Sequence, residues 1–490
     1  MSADTGAASP GDFGPGDVAP DGAAVRTAPF TVAGVPAQRE LLSGWGRTAP
    51  TAAVVTEPAA TTEVAALLGD DDVRDGRGLI ARGLARSYGD AAQNAGGVVA
   101  RMTAMDAVHD VDVERATVRV DAGVSLATLM RLFVPLGMFP AVTPGTCQVT
   151  VGGAVAADIH GKNHHVDGSF CDHVSELELV TPTGTHRVGP TEDPELFWAT
   201  AGGMGLTGVV TNASLRMRRI ETSMIAVDTE RCSDLDDCMA RMTERDDAYH
   251  YSVAWIDCLA TGSAMGRSVL TRGDFAPRDA LDAKAARDPL HFAPSTVVQA
   301  PPWFPNGLLN RLTVRAFNEL WFRKAPRQRL GELQPIAAFH HPLDFVHGWN
   351  RIYGTNGFLQ YQFVVPFGRD GEDALRRAIE ALAASGCASF LAVLKRFGPA
   401  NPGPLSFPTP GWTLALDVPA GNAELAPLFD RLDEMVLDAG GRLYFAKESR
   451  TKPQLVDRMY PRIDEWRAVR DRVDPDGVLV SDLARRLQLV

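Results

Sequence analysis

The chain has 490 residues, with 48 Lys or Arg against 60 Asp or Glu and a net charge of −12, a balance without the basic footprint that general nucleic-acid binding needs. Its 45% hydrophobic and 22% charged residues are ordinary for a folded globular chain. No apolar run reaches the roughly 18 residues of a spanning helix, and no basic-then-apolar leader of the Sec type opens it. Its six cysteines, Cys147, Cys171, Cys232, Cys238, Cys258 and Cys387, form no C-x-x-C pair and read as scattered reduced thiols rather than a disulfide framework or zinc site.

Residues 1–38 are rich in Gly, Ala, Pro and Asp without periodicity and are expected to be a disordered extension, with order starting near Leu41. AAVVTEP reads as a short strand and Thr62 as the cap of a helix through Val64, Leu67 and Leu68. The apolar strand in GLIAR then runs into Arg82-Gly83-Leu84-Ala85-Arg86-Ser87-Tyr88-Gly89-Asp90. A turn with two glycines, a hydroxyl and two arginines suits a diphosphate held by backbone N–H groups and guanidinium; a charged surface turn is the plainer reading. TVRVDAG alternates as a strand, and Ser125 is placed to cap a helix with Leu126, Leu129, Met130 and Phe133 on one face.

Thr143 to Phe170, TPGTCQVTVGGAVAADIHGKNHHVDGSF, has too few large side chains to fill a core. Its glycines allow backbone N–H groups to approach something bulky and anionic, and the polar run His160 to His165 then lies beside what is bound. Histidines set among Gly, Lys and Asn make a poor metal site, whereas Lys162 is a mobile cation suited to phosphate. Cys147, with no adjacent base, is a poor nucleophile. ELELVTPTGTHRV reads as a hairpin. GGMGLTG contains a formal G-x-G-x-x-G, but a helix-like segment precedes it and a strand-like one follows, the reverse of a dinucleotide fingerprint.

Beyond about residue 222 the pattern becomes strands alternating with amphipathic helices: HYSVAWID, FLQYQFVVP, EDALRRAIEALAASG, SFLAVLKRFG, NAELAPLFDRLDEMVLDAGG and RLYFAKESR. This is the signature of a second α+β domain. Phe292 to Lys324 is rich in Pro and large apolar residues, either a core-packed insertion or a lid that meets a lipid or membrane surface. Lys395 and Lys447 each stand at the end of a strand-like run, where a lysine leaning off a sheet edge is the ordinary reading. Gln360 and Gln362 share one strand face, as ligand-reading amides would. The C-terminal helix, Asp-Pro turn and short strand are expected to close the first domain.

With these residues in view, the chain resembles the vanillyl-alcohol-oxidase type of flavoprotein. The likeness runs from about Leu41 to Val490 on the strings SGWGRTAP, ARGLARSYGDAAQN, PGTCQVTVGGAVAADIHGKNHH, ELFWAT, FLQYQF, PLSFPTPGW, GGRLYFAKESRT and SDLARRLQL. It implies a two-domain α+β fold, with an FAD-binding domain over 39–222 and 441–490 and a substrate-binding cap over 223–440 that contains a flexible segment at about 292–330. It implies FAD held by Ala81, Arg82, Gly83, Leu84, Ala85, Arg86, Ser87, Tyr88, Gly89, Asp90, Ala91, Gly145, Thr150, Val151, Gly152, Gly153, Ala157, Asp158, Ile159, His160, Val210 and Tyr444. Arg86 stands where many relatives carry a flavin-linking histidine, so the cofactor is expected to be non-covalent.

By the same resemblance Lys447 is the catalytic lysine, with His160 beside it, and Tyr88, Lys162, Trp255, Phe322, Gln360, Gln362 and Lys395 form the substrate pocket. The branch it is most similar to oxidises the 2-hydroxyl of a polyprenyl-phosphate-linked ribose, in the route to arabinose donors of actinobacterial cell walls. That implies an NADH-dependent keto-reductase partner and peripheral contact with a membrane, on its periplasmic face. Phe322, Val253, Thr413, Ala415 and Ala91 depart from residues usual in that branch: a tyrosine, a serine, an asparagine, a cysteine and an asparagine. A flavin oxidase of a soluble sugar, alditol or lactone, and a non-catalytic flavin- or phosphosugar-binding protein, are the competing readings.

Overall fold

The computed structural model describes residues 30–293, 298–301, 304–386 and 389–490. Of the extension expected over 1–38, residues 1–29 lie outside the described residues, and the rest is not disordered: Phe30–Val32 and Val35–Leu42 pair antiparallel and enter the first sheet. Composition hid this hairpin, because its Gly, Ala and Pro content masks the inward placement of Val35, Arg39 and Leu42.

Five strands form the first sheet. Thr51–Thr56, Val98–Arg101 and Leu79–Arg82 run parallel, from its middle strand to one end. Such pairing needs crossovers, and one is the helix Thr61–Gly69, which buries Val64, Leu67 and Leu68. Thr62 does not cap this helix; Ala60 is the N-cap without a side-chain bond, and Glu63 instead accepts the Ala59 N–H at 2.7 Å. The C-terminal chain returns here: Leu79 N–H donates to Val478 O and Val480 N–H to Leu79 O.

A second, antiparallel sheet is centred on Val209–Arg219, between Val174–Thr181 and Thr117–Asp121. Ser125 accepts the Thr128 N–H at 3.0 Å and starts the helix Leu126–Phe133, whose Leu126, Leu129, Met130 and Phe133 are buried. The G-x-G-x-x-G segment indeed lies between the helix Pro194–Thr200 and a strand. Its Gly202 packs against the Leu405–Ser406 backbone.

The third sheet has eight antiparallel strands, in the order Gln328–Pro335, Met224–Cys232, Ser268–Phe275, Tyr251–Ile256, Ala392–Phe397, Gly411–Pro419, Phe358–Pro366 and Arg442–Leu443. Side chains alternate faces along a strand. One face carries Tyr361, Phe363, Leu394, Leu414 and Leu416, all in the main core, under the helices Arg369–Ser385 and Leu425–Asp438. The other face carries Val253, Trp255, Gln360, Gln362, Val393, Lys395 and Ala415, and all seven line one cavity. Lys395 lies inside its strand. Lys447 follows its two-residue strand in a turn, its N–H bonded to Tyr444 O at 2.9 Å. Neither is a lysine leaning off an edge.

Candidate active site

Three walls enclose a cavity of about 780 Å³, inside the ~300–1,000 Å³ range of pockets that bury a small molecule. The first wall is the turn after Leu79–Arg82. A Cβ on Gly83 would stand 2.1 Å from Thr150 Oγ1, so only glycine lets this turn close on the second wall. Ala85 takes a positive φ of 55°, a conformation costly for a residue with a Cβ. The two arginines brace the turn: Arg82 donates to Ser43 O and Ala92 O at 2.6 and 2.8 Å, and the Arg86 guanidinium lies 3.9 Å over the Trp45 ring.

The second wall is Thr143 to Lys162. Thr150 accepts the Gly153 N–H at 3.2 Å and caps the short helix Val151–Ala156. A Cβ on Gly145 would meet no protein atom within 4 Å and would project into the cavity it lines. Cys147 donates both its N–H and its thiol to Asp344; burial, then the Asp344 charge and this bond, pushes the thiol up, away from nucleophilic character. Among the described residues, Cys147, His341 and Asp344 are the one group spaced for a metal ion. Their hydrogen bonds to each other and to Thr143 and Thr146 explain that grouping without one.

The third wall is the sheet face, with Tyr444 and Lys447 below it. Tyr444 donates to Ala157 O at 2.7 Å and stacks on Phe407 at 4.6 Å. The Gln362 amide donates to His160 Nε2 at 3.0 Å. That makes Nε2 the acceptor and leaves Nδ1, which has no protein partner, to carry the proton. Burial, then the Lys395 charge, holds His160 well below its ordinary range.

Three lysines converge here, and all line the cavity. Burial lowers Lys162 to about 7; its ammonium donates to Phe339 O and sits 4.2 Å from the Phe339 ring. Burial, then the charges of Lys447 and Lys162, lowers Lys395 to about 7. Burial lowers Lys447 to about 8, against the raising field of Asp417, and its Nζ lies 4.0 Å from the centre of the Tyr88 ring. Trp255 donates to Phe390 O at 3.0 Å.

Most residues singled out in the sequence line the cavity; five do not. Phe322 faces Arg267 and Arg231, 4.7 and 5.3 Å from its ring, while Trp321 and Lys324 of the same helix reach the cavity. Asp90 is turned outward to Arg486 at 2.8 Å. Asp158 is buried under Ser406, Asn401 and the Cys171 N–H. Val151 belongs to the core, and Gly89 backs onto Glu448 O, 2.4 Å from where its Cβ would be. Trp45, Thr146 and Gln148 stand inside the quoted strings without having been given a role, and they line the cavity together with the 342–349 segment. That segment carries no motif and joins the site only through the fold.

The glycine cradle, the first turn lining the cavity and the unpartnered polar atoms of His160 and Gln360 fit a flavin nucleotide. Residues 52–189 match the FAD binding domain family and residues 415–487 the D-arabinono-1,4-lactone oxidase family. The protein is an FAD-dependent oxidoreductase with a two-domain α+β fold. It is 46% identical over 460 residues to decaprenylphosphoryl-β-D-ribose oxidase of Mycolicibacterium smegmatis, covering 93% of this chain and 99% of that one. An uncharacterized Streptomyces coelicolor protein is 44% identical over 375 residues, 75% of this chain and 100% of its own. Alditol oxidase of a Streptomyces species is 32% identical over 177 residues, 36% of this chain and 41% of its own. The chain belongs to the decaprenylphosphoryl-β-D-ribose oxidase family.

Proposed function

We propose that this protein oxidises the 2-hydroxyl of decaprenylphosphoryl-β-D-ribose to the 2-keto compound, the first half of an epimerisation to the arabinose donor of cell-wall arabinan. The carrying observation is the 46% identity over 93% of the chain to an oxidase of that name, which spans every wall of the cavity.

The turn 81–88, with Gly145, Thr150, Gly152, Gly153, Ala157, Ile159, His160, Val210 and Tyr444, would hold FAD non-covalently, and the flavin would supply hydride-accepting chemistry when bound. Lys162 and Lys395 meet the phosphate: a buried lysine that is half-neutral near pH 7 regains its proton when an anion arrives. Gln360, Gln362 and His160 orient the sugar, and Trp255 and Tyr88 bound its apolar face. Lys447, with its basicity lowered by burial, is close to the pH at which a general base works best and takes the hydroxyl proton.

Epimerisation then requires reduction of the ketone from the opposite face, by a separate NADH-dependent reductase. The polyprenyl tail leaves past the helix Arg311–Lys324, and the protein works at a membrane surface, on its periplasmic face, though no described helix is long and apolar enough to cross one.

Anaerobic addition of a short-chain polyprenylphosphoryl ribose should bleach the flavin absorbance. A flavin band that persists with this substrate but bleaches with a free alditol or lactone would replace the reading with a soluble-substrate oxidase. Acid precipitation should leave the flavin in the supernatant; a yellow pellet would refute non-covalent attachment.

A further inference from the structure

The cavity does not end at Lys395 and Trp255. It continues across the outer half of the third sheet, where Thr229, Val269, Thr271, Glu332 and Gln334 also line it. The strand register shows how. Trp255 stands between Val393 on one neighbouring strand and Val269 on the other, and Val253 opposes Thr271, which in turn opposes Thr229. Side chains return to the same face every second residue, so these groups form two adjoining rows on the face that carries Lys395. Farther along the same strands Ile225, Val227 and Tyr251 pack against Phe339. The short helix Ile336–His340 covers that part of the face, and an arm of the cavity takes the remainder.

This arm is apolar between two polar ends. Lys395 and Gln362 stand at the inner end. In the middle, Trp255 gives its indole N–H to Phe390 O at 3.0 Å and Thr271 gives its hydroxyl to Val253 O at 3.1 Å, so neither donor is free for a ligand. At the outer end, on the edge strand Gln328–Pro335, Gln334 donates to Glu332 at 3.0 Å and Glu332 pairs with Arg329 at 2.6 Å. Trp321 and Lys324 line the arm from the helix Arg311–Lys324. The strand of Lys395 lies four steps from the edge strand, ~19 Å at ~4.8 Å per step. Trp321 and, on the edge strand, Leu330 are 45% and 60% exposed, so the apolar path comes out beside apolar surface. A sugar or alditol in the middle of this arm would lose its hydrogen bonds to water without replacement; a hydrocarbon chain would not.

We propose that this arm is an isoprenoid subsite. The tail of the phosphosugar runs from the phosphate lysines across Tyr251–Ile256, Ser268–Phe275 and Met224–Cys232, and reaches the surface between Trp321 and the edge strand. This rests on the substrate proposed above. The protein thereby recognises the first units of the tail itself, beneath the helix Arg311–Lys324, and leaves the remainder to the lipid surface. Contacts so far from the reacting carbon are made equally in the ground and transition states, so they lower KM and leave kcat alone.

The test uses the flavin-loaded protein and phosphoribose substrates with geranyl, farnesyl and longer tails, kept below their micelle concentrations. KM should fall at least ~10-fold along the series, with kcat level, and then stop falling once the arm is filled. A KM independent of tail length would overturn the subsite. Thr271→Phe narrows the arm and Val253→Thr adds a hydroxyl at nearly equal size; for both, the loss should be smallest with the geranyl compound and grow with the tail. A loss equal at every tail length would reduce these residues to packing. A readout without variants is photolysis of a farnesyl phosphate that carries a terminal diazirine, with the labelled peptides found by mass spectrometry. Label should fall on the strands that line the arm. Label confined to the outer face of the helix, at Leu312 and Leu320, or absent from those strands, would put the tail in the bilayer and overturn the proposal. Label on the strands, in a protein whose flavin no prenylated ribose bleaches, would uphold the arm and refute the proposed substrate.

Discussion

Lys162, Lys395 and Lys447 are built into the walls, and their chemistry comes from burial more than from any partner. Lysine, unlike arginine, loses its proton readily when it is desolvated. Lys447→Ala should leave flavin binding intact and lower the rate of flavin reduction by at least ~100-fold, the lower end of what a positioned base contributes; unchanged reduction in single-turnover spectroscopy would sink its role as base. The visibility of these residues in the sequence was uneven. Lys447 and the glutamines sit in long recognisable strings, and their alternation already placed Gln360 and Gln362 on one face. Phe322 was misplaced because a helix turns about 100° per residue, so its neighbours Trp321 and Lys324 point into the cavity while it does not.

At the level of elements, the C-terminal helix Asp482–Leu487 ties the two halves of the site together. Arg486 binds Asp90, next to the turn 81–88, at 2.8 and 2.9 Å. It also binds Glu448, next to Lys447, at 3.0 and 3.1 Å. Glu448 is buried, and Arg486 offsets the burial that raises its pKa. Arg486→Gln strands that carboxylate and should destabilise the fold by roughly 2 kcal/mol, with weaker flavin retention; an unchanged melting midpoint at pH 7 would show the clamp to be idle. Sequence pattern placed the C-terminus in the first domain but not this clamp, because a charged helix end looks alike whether it is solvated or bridging.

The helix Arg311–Lys324 shows the opposite economy. It is held to the body by Val314 and by Asn318, which donates to Asp257 at 2.8 Å. Leu312 and Leu320 are 78% and 68% exposed, and the flanking Arg311, Arg315, Arg323 and Lys324 would favour an anionic lipid surface. Leu312→Ser with Leu320→Ser should weaken binding to phosphatidylglycerol vesicles at least tenfold, taking ~1.4 kcal/mol per decade and ~1.5 kcal/mol or more per buried leucine. Equal vesicle binding by the double variant would remove this helix from the proposed membrane contact.

Across the whole molecule, the two demands that the proposed reaction makes on the buried lysines pull in opposite directions with pH. Binding a phosphate wants Lys162 and Lys395 protonated, and in the free protein both lose their protons as pH rises through about 7. A bound anion raises their pKa again, so binding above that pH takes up protons and affinity falls as pH rises. Proton removal wants Lys447 neutral, and that state is gained as pH rises through about 8. The product of the two is a bell-shaped kcat/KM between the limbs, in a protein whose net charge of −12 would otherwise repel an anionic substrate. The limbs can be separated. Calorimetric titration with a polyprenyl phosphate that carries no sugar should show proton uptake at pH 8 and little at pH 6, while the single-turnover reduction rate at saturating substrate should rise over the same interval. Binding without proton uptake at pH 8 would show that these lysines already hold their protons in the free protein, and the phosphate site would then have to be sought at Lys324, on the exposed side of the cavity.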